Sequence, residues 1–236
     1  MTETRKQFHE ELDELAQAVI RAAAMATEAI PRATSVLLGN DLEGAQSLIE
    51  HDDDLDEASL ENEEQAIRLM ALQQPMAGDL RRIVTALKLN GEIERSGDLA
   101  VNITKASRRI YGVEFTPKLR GLIEAMSVEA ARLLRLAIDA YADGDAGLAA
   151  ALDDMDDRLD GLNKEFVQAI FEAHTDEAID LQAAVQLALV GRYYERIGDH
   201  AVNIGNQTQF MVTGWMPEHT GAARVKARRD AEEHRG

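Results

Sequence analysis

The sequence predicts an all-α protein made of two tandem antiparallel three-helix bundles that are related by internal duplication. A ten-residue stretch occurs twice, at Glu94–Ile103 and Glu195–Ile204, and eight of its ten positions are identical at an offset of 101 residues. A long-period repeat of this kind indicates two copies of one structural unit. The composition is rich in Ala, Leu, Glu, Asp and Arg, only 4% of the residues are aromatic, and no run alternates in the manner of a strand. Long helices are the expected result.

Charge and composition also exclude several classes of function. The chain of 236 residues has a formal net charge of −18, which argues against binding nucleic acid through its phosphates. It contains no Cys, so neither a disulfide nor a thiolate metal site can form. No segment approaches the run of about 18 apolar residues that a membrane-spanning helix needs. We therefore expect a cytoplasmic protein with at most an indirect membrane role.

The first helix is predicted from about Thr4 to Leu38. Pro31 within it predicts a kink or a restart, and Gly39–Asp41 predicts a stop followed by an N-cap. Apolar residues recur at spacings of four and three, which defines a line of core-facing positions, here called the apolar seam. In this helix the seam comprises Phe8, Leu12, Leu15, Val19, Ala22, Ala26, Ala29, Ala33 and Val36.

The second and third helices complete the first half. The second is predicted from about Leu42 to Gln73, since the residue before Pro75 is pushed out of the α region. The third is predicted from about Gly78 to Tyr111, and Gly112 and Pro117 then bracket a boundary between the halves. The two seams are Ala45, Ile49, Asp52, Asp56, Leu60, Glu63, Ile67 and Met70, and Leu80, Val84, Leu87, Gly91, Glu94, Asp98 and Val101.

The second half repeats this plan, with a turn at Asp143–Asp145. Its helices are predicted at about Lys118–Ala142, Ala146–Ala173 and Asp176–Val212. The seams of the last two contain Asp156, Asp160, Glu195 and Asp199. The predicted units are residues 1–113, residues 114–213 and a polar, disordered tail of residues 214–236.

Eight of the carboxylates at positions where the periodicity requires apolar residues form two equivalent sets of four. Neighbouring helices joined by short loops pack antiparallel, so each half can bring four of them to one patch. Like charges one turn apart repel, and burial increases the cost unless the pKa rises, an Arg approaches or a cation binds. We expect each half to bind a hard cation such as Mg²⁺, Mn²⁺ or iron through oxygen ligands. The candidate metal ligands are Asp52, Asp56, Glu94, Asp98, Asp156, Asp160, Glu195 and Asp199.

Several alternatives remain open at this stage. One alternative is a carboxylate-bridged metalloenzyme, although the Glu-x-x-His pair of ferritin-like di-iron bundles is absent, and another is a metal-free structural bundle. Gly97 and Gly198 indicate close approach of another group or tight helix packing. For Arg95 and Arg196 the alternatives are orientation of the acids and surface salt bridging. No hydrolase or kinase motif is present.

The paired motifs resemble a known family. D-x-x-L-D occurs at Asp52–Asp56 and Asp156–Asp160, and E-R-x-G-D-x-A-x-N-I follows in each half. Together with Gln74–Arg81, which is similar to a Q-P-x-A-x-D-L-R turn, these motifs resemble the PhoU family of phosphate-uptake regulators over about residues 5 to 213. The chain departs from that pattern at Ser96, where the family usually has an aliphatic residue.

The resemblance implies a non-enzymatic cytoplasmic protein of two three-helix bundles, often a homodimer, with metal clusters on the eight acids. The metal is expected to be iron, manganese, magnesium or zinc. Proteins of the family repress the phosphate-starvation response and restrain phosphate uptake. Their partners are the ATPase subunit of the phosphate ABC transporter and a membrane-bound sensor histidine kinase. A negative regulator of this type is the function that the resemblance predicts.

Overall fold

The computed structural model describes residues 3–50, 52–73 and 75–215, and within these it is helical with no strand. The described residues form seven helices: α1 Glu3–Gly39, α2 Leu42–Glu50, α3 Asp52–Gln73, α4 Gly78–Arg109, α5 Pro117–Asp143, α6 Ala146–Thr175 and α7 Leu181–Thr213. The predicted second helix corresponds to α2 and α3, which are separated only by residue 51, outside the described residues. The all-α prediction is confirmed.

Local sequence signals fix most helix ends. Asp41 Oδ1 accepts a hydrogen bond from the Gly44 backbone N–H at 2.9 Å, which is the predicted N-cap of α2. Asp145 and Asp180 cap α6 and α7 in the same way. Gly144 closes α5 in the left-handed conformation that glycine tolerates, with φ at 63°, so the predicted turn at Asp143–Asp145 is also confirmed. The α1 helix runs through Pro31 without a restart, so that alternative is wrong, and the kink stays a prediction.

Four helices form the centre of the molecule. α1 packs on α4, α4 on α7, α7 on α5 and α5 on α1, while α3 flanks the first half and α6 flanks the second. A single hydrophobic core runs through both halves and includes Val19, Ile93 and Tyr194. The predicted domain boundary stays a prediction.

Side-chain contacts give the helix directions. Two contacts along each pair run in opposite chain directions, so α3–α4 and α6–α7 are antiparallel: Leu55–Gly97 with Asn62–Asn90, and Asp156–Gly198 with Asn163–Glu195. Across the junction of the halves, α4 and α7 are antiparallel as well, because Arg81 reaches the Met211 carbonyl oxygen and Arg109 reaches Gln186. The two helix pairs therefore lie side by side, with α4 and α7 in the middle.

The apolar seam was predicted correctly for α1 but one residue too far round the helix for α3. Buried residues of α3 include Leu55, Ala66 and Leu69, whereas the predicted seam residues Leu60 and Ile67 are 58% and 50% exposed. On α4 and α7 the buried surface is much wider than the predicted seam, because each helix packs against at least three others. The acids of the seam lie at the edge of that buried surface. The eight acids consequently lie at the border of the core. Asp56, Asp98 and Asp199 are exposed, and Asp52, Glu94, Asp156, Asp160 and Glu195 are half-buried.

Across the described residues, no helix is both long enough and apolar enough to span a membrane. The predicted tail falls almost entirely outside the described part of the chain, apart from Gly214 and Trp215.

Candidate functional site

Glycines set the register of the two helix pairs that bear the acids. A Cβ at Gly97 would collide with the Leu55 side chain, and one at Gly198 would collide with Asp156 and Leu159. Leu55 and Leu159 are equivalent residues of the two D-x-x-L-D motifs. Both halves therefore use the same close packing, in which the leucine of one helix lies over the glycine of the next. Both glycines thus allow tight helix packing. Gly198 also leaves room for the carboxylate of Asp156.

In the second half, the negative charges of three neighbouring carboxylates repel that of Asp156. Burial raises the pKa of Asp156 to about 7, and the negative charges of Asp160, Asp199 and Glu195 contribute in that order. Its Oδ1 atom is buried and accepts no hydrogen bond from the protein. A buried carboxylate oxygen without a partner is unusual, because leaving it unpaired costs free energy.

Arg192 and Asn163 hold Glu195 from two sides. The Arg192 guanidinium lies 2.6 Å from Glu195 Oε1 and 3.8 Å from Asp199 Oδ2. The Asn163 side-chain amide donates to Glu195 Oε2 at 2.9 Å. Each oxygen of the Glu195 carboxylate thus has a partner of its own, which fixes the orientation of the group. Arg196, for which a similar role was considered, is exposed and makes no such contact in the described structure.

The first half shows the same mutual repulsion in a weaker form. Burial raises the pKa of Asp52, as do the charges of Asp56 and Asp98. Burial also raises the pKa of Glu94, again with Asp98 and Asp56 contributing. The acids of each half therefore lie within electrostatic range of one another, whereas their role as metal ligands stays a prediction. A cavity of about 150 Å³ that both Asp52 and Gly97 line lies beside them.

A polar contact that was not predicted from the sequence lies where the two halves meet. His200 Nδ1 lies 2.6 Å from Glu92 Oε2, and Asn203 donates to the same oxygen at 3.2 Å. Arg95 pairs with the other oxygen, Glu92 Oε1, at 2.5 Å, so it does not orient the acids of the first cluster. His200 is only 7% exposed. Its repeat equivalent is Leu99, so the duplication gave no signal for this contact.

The donor chemistry fits a hard cation, because carboxylate oxygens are the ligands that Mg²⁺, Mn²⁺ and iron accept. The Asp156 oxygen that lacks a hydrogen-bond partner, with three further acids near it, is also consistent with a cation ligand. In the described part of the chain, no three acidic or histidine side chains are already arranged for ligation. Binding of an ion by either cluster would therefore require side chains to rotate. Asp98 and Asp199 are exposed, so their side chains have room to do so.

Comparison with known proteins gives consistent results at three levels. A family model for the PhoU domain matches residues 19–107 and residues 123–208. The phosphate-specific transport system accessory protein PhoU homolog 1 of Mycobacterium tuberculosis is 34% identical over 214 residues, which are 90% of this chain and 96% of that protein. PhoU homolog 2 of the same organism is 33% identical and covers 90% of this chain and 100% of its own length.

Solved structures agree in fold. The crystal structure of PhoU from Pseudomonas aeruginosa superposes with a TM-score of 0.82, at 24% identity, over 88% of this chain and 100% of that one. The phosphate transport system regulatory protein PhoU from Streptococcus pneumoniae gives a TM-score of 0.81, at 23% identity, over 89% and 98% of the two chains. At this identity the likeness establishes the all-α fold and nothing further.

Proposed function

Since the chain belongs to the PhoU family, we propose that it is an accessory protein of a phosphate-specific transport system and a negative regulator of phosphate uptake and of the phosphate-starvation response. Support comes from relatives whose names give them the accessory role, with coverage of nearly the whole chain. The doubled acidic motif, which the fold gathers into one cluster in each half, is the observation that carries the proposal.

The proposed mode of action is that of a non-enzymatic cytoplasmic adaptor. It links the ATPase subunit of the phosphate ABC transporter to a sensor histidine kinase, so its contact with the membrane is indirect, and it acts as a homodimer. No nucleic acid takes part. The acidic surface supports a protein or cation partner in preference to a polyanion, given the net charge of −18.

Each half is proposed to hold metal ions on its four acids. Asp52, Asp56, Glu94 and Asp98 would bind in the first half, and Asp156, Asp160, Glu195 and Asp199 in the second. A bound cation would offset the repulsion that raises the pKa of Asp156 and would give its unpartnered oxygen a ligand. Iron, manganese, magnesium and zinc all remain candidates.

Secreted phosphatase activity in phosphate-rich medium tests the regulatory role. Host cells that lack their own regulator of this family would express the chain, its Asp98→Asn/Asp199→Asn variant, or the control Asp53→Asn/Asp157→Asn. The control removes two exposed acids at equivalent positions outside the proposed ligand set. We expect the wild-type chain and the control to repress the phosphatase and the Asp98→Asn/Asp199→Asn variant to fail.

Other results separate the parts of the proposal. Repression by all three chains would keep the regulatory role and remove the acidic clusters from it. If no chain represses although all are soluble and expressed, the next test is a pull-down with a phosphate-transporter ATPase and a sensor histidine kinase from the organism that makes this protein. Absence of both partners from that pull-down would refute the adaptor role.

A further inference from the structure

We infer that Asn163 is a positioning residue for the acidic cluster of the second half, and that it gives this cluster a higher metal affinity than that of the first half. The inference rests on the proposed metal binding and adds to it a residue outside the acidic motifs. Asn163 lies on α6, one turn after Asp160 on the same side of the helix. Its amide nitrogen donates to Glu195 Oε2 on α7 at 2.9 Å.

A space in α7 holds the Asn163 side chain in place. A Cβ at Gly191 would lie 2.5 Å from Asn163 Oδ1 and 3.0 Å from Cδ1 of Phe166. Only glycine at position 191 therefore leaves room for this amide between the helices. Asn163 Oδ1 is buried and has no hydrogen-bond partner in the protein. The Asn163 side chain therefore leaves its oxygen without a hydrogen bond, while its nitrogen donates to Glu195.

The first half uses the equivalent space differently. The leucine–glycine contacts align Asn163 with Ser59 and Gly191 with Asn90. Here the amide comes from α4: Asn90 donates to the Ser59 carbonyl oxygen and to Ser59 Oγ, both at 2.8 Å, and accepts from Asn62 at 3.0 Å. None of the described hydrogen bonds of this network reaches Glu94. Among the described residues, only the second half therefore has a side-chain amide that donates to the Glu of its cluster.

The Glu195 carboxylate is held in one orientation before any cation binds, which favours cation binding. A carboxylate whose two oxygens are held by Asn163 and Arg192 loses less freedom when it becomes a ligand. Glu94 has no comparable pair of partners in the described structure. Removal of such an outer group typically lowers metal affinity about 10- to 100-fold. We expect an effect of that size for Asn163 and none for Ser59.

Mn²⁺ titration of the purified full-length chain, with free Mn²⁺ followed by electron paramagnetic resonance, tests the inference. Asp98→Asn disables the first cluster and leaves the second for measurement, and Asp199→Asn does the reverse. In the Asp98→Asn background, Asn163→Ala and the apolar, similarly sized Asn163→Leu should both weaken Mn²⁺ binding about 10- to 100-fold. In the Asp199→Asn background, Ser59→Ala and Asn163→Leu should leave Mn²⁺ binding within twofold of the parent.

Packing alone would give a different pattern, because Asn163→Leu fills the space without the donor and would then keep the affinity. Unchanged second-half affinity in both Asn163 variants would overturn the inference while leaving metal binding intact. Equal losses in both halves would overturn it as well, since they would indicate general damage to the fold. If the wild-type chain binds no Mn²⁺, the proposed metal function itself fails, and the role of Asn163 fails with it.

Discussion

The Asp156 carboxylate packs directly against the backbone of Gly198 and fills the space that the Cβ of any other residue would need. A glycine of one repeated motif therefore admits an acid of the other, on the neighbouring helix. In the first half the same space at Gly97 holds only the Leu55 side chain. This contact places an acid of α6 against α7, and the second cluster is more buried than the first, with one exposed acid where the first has two.

Gly198→Ala should selectively impair the second cluster. The new methyl group must displace Asp156 and Leu159, both of which can move because they are side chains. We expect weaker Mn²⁺ binding in the second half and a modest change in the free energy of unfolding, which urea titration of the metal-free protein measures. Gly97→Ala is the matched control, and it should leave the second cluster unaffected. Unaltered Mn²⁺ affinity in Gly198→Ala would contradict this role of the contact.

Gly205→Ala should destabilise the whole fold. A Cβ there would lie 2.7 Å from the Ala149 carbonyl oxygen, which belongs to the backbone of α6 and cannot turn away. Overpacking of this kind costs about 1–3 kcal/mol in the free energy of unfolding. Gly161→Ala is the control, because its Cβ meets nothing within 4 Å and the gain in helix propensity is about 0.5–1 kcal/mol. Similar unfolding midpoints for the two variants would show that α6 and α7 are less closely packed than described.

The Glu92–His200 contact should couple the stability of the two halves. Its partners are largely buried and their atoms lie 2.6 Å apart. Removal of one member leaves the other without its partner, so Glu92→Ala and His200→Ala should each lower the free energy of unfolding by about 1–3 kcal/mol. The double variant should lose less than the sum of the two. A cycle on the exposed Lys6–Glu10 pair provides the comparison, and additive effects at Glu92 and His200 would refute the coupling.

The metal-free protein should become more stable as the pH falls from 8 to 5.5. Burial and the neighbouring acids raise the pKa of Asp156 to about 7 in the folded state, whereas an unfolded Asp titrates near 3.9. Between these values the folded chain binds more protons than the unfolded chain, so lower pH favours folding. The raised pKa values of Asp52 and Glu94 act in the same direction.

Urea midpoints in the presence of a chelator, compared between the wild-type chain and Asp156→Asn, measure this dependence. The variant lacks the charge and should show a flatter profile, with a higher midpoint than wild type at pH 8. The pKa of Glu92 is lowered by its bond to His200, against the effect of burial, and its contribution is lost only at a pH below this window. Parallel profiles for the two proteins would contradict the assignment to Asp156.

Much of this molecule could be predicted from periodicity and repetition. Helix content, the cap at Asp41 and the turn at Gly144 follow from local chemistry, which a single sequence records. The gathering of the acids in each half was also predicted, because the duplication identified equivalent positions at Glu94 and Glu195.

Residues whose role depends on packing between elements escaped prediction. The periodicity predicted that the eight acids face the core, whereas they lie at its border. Seven-residue spacing cannot distinguish the centre of a helix's buried surface from its edge. Arg192 and Asn163 were not recognised as partners of Glu195, since neither belongs to the repeated motifs. His200 has no equivalent in the first half, where Leu99 stands, so the repeat gave no signal for it. Its contact exists only because α4 and α7 meet across the junction of the halves.

Metal content after purification tests the central claim most directly. The wild-type chain, Asp98→Asn/Asp199→Asn and the control Asp53→Asn/Asp157→Asn would be purified without chelators, and bound iron, manganese, magnesium and zinc would be measured by elemental analysis. We predict bound metal in the wild-type chain and in the control, and its loss from the Asp98→Asn/Asp199→Asn variant. Equal metal content in all three chains, or none in the wild-type chain after growth in metal-replete medium, would contradict the assignment of the acidic clusters.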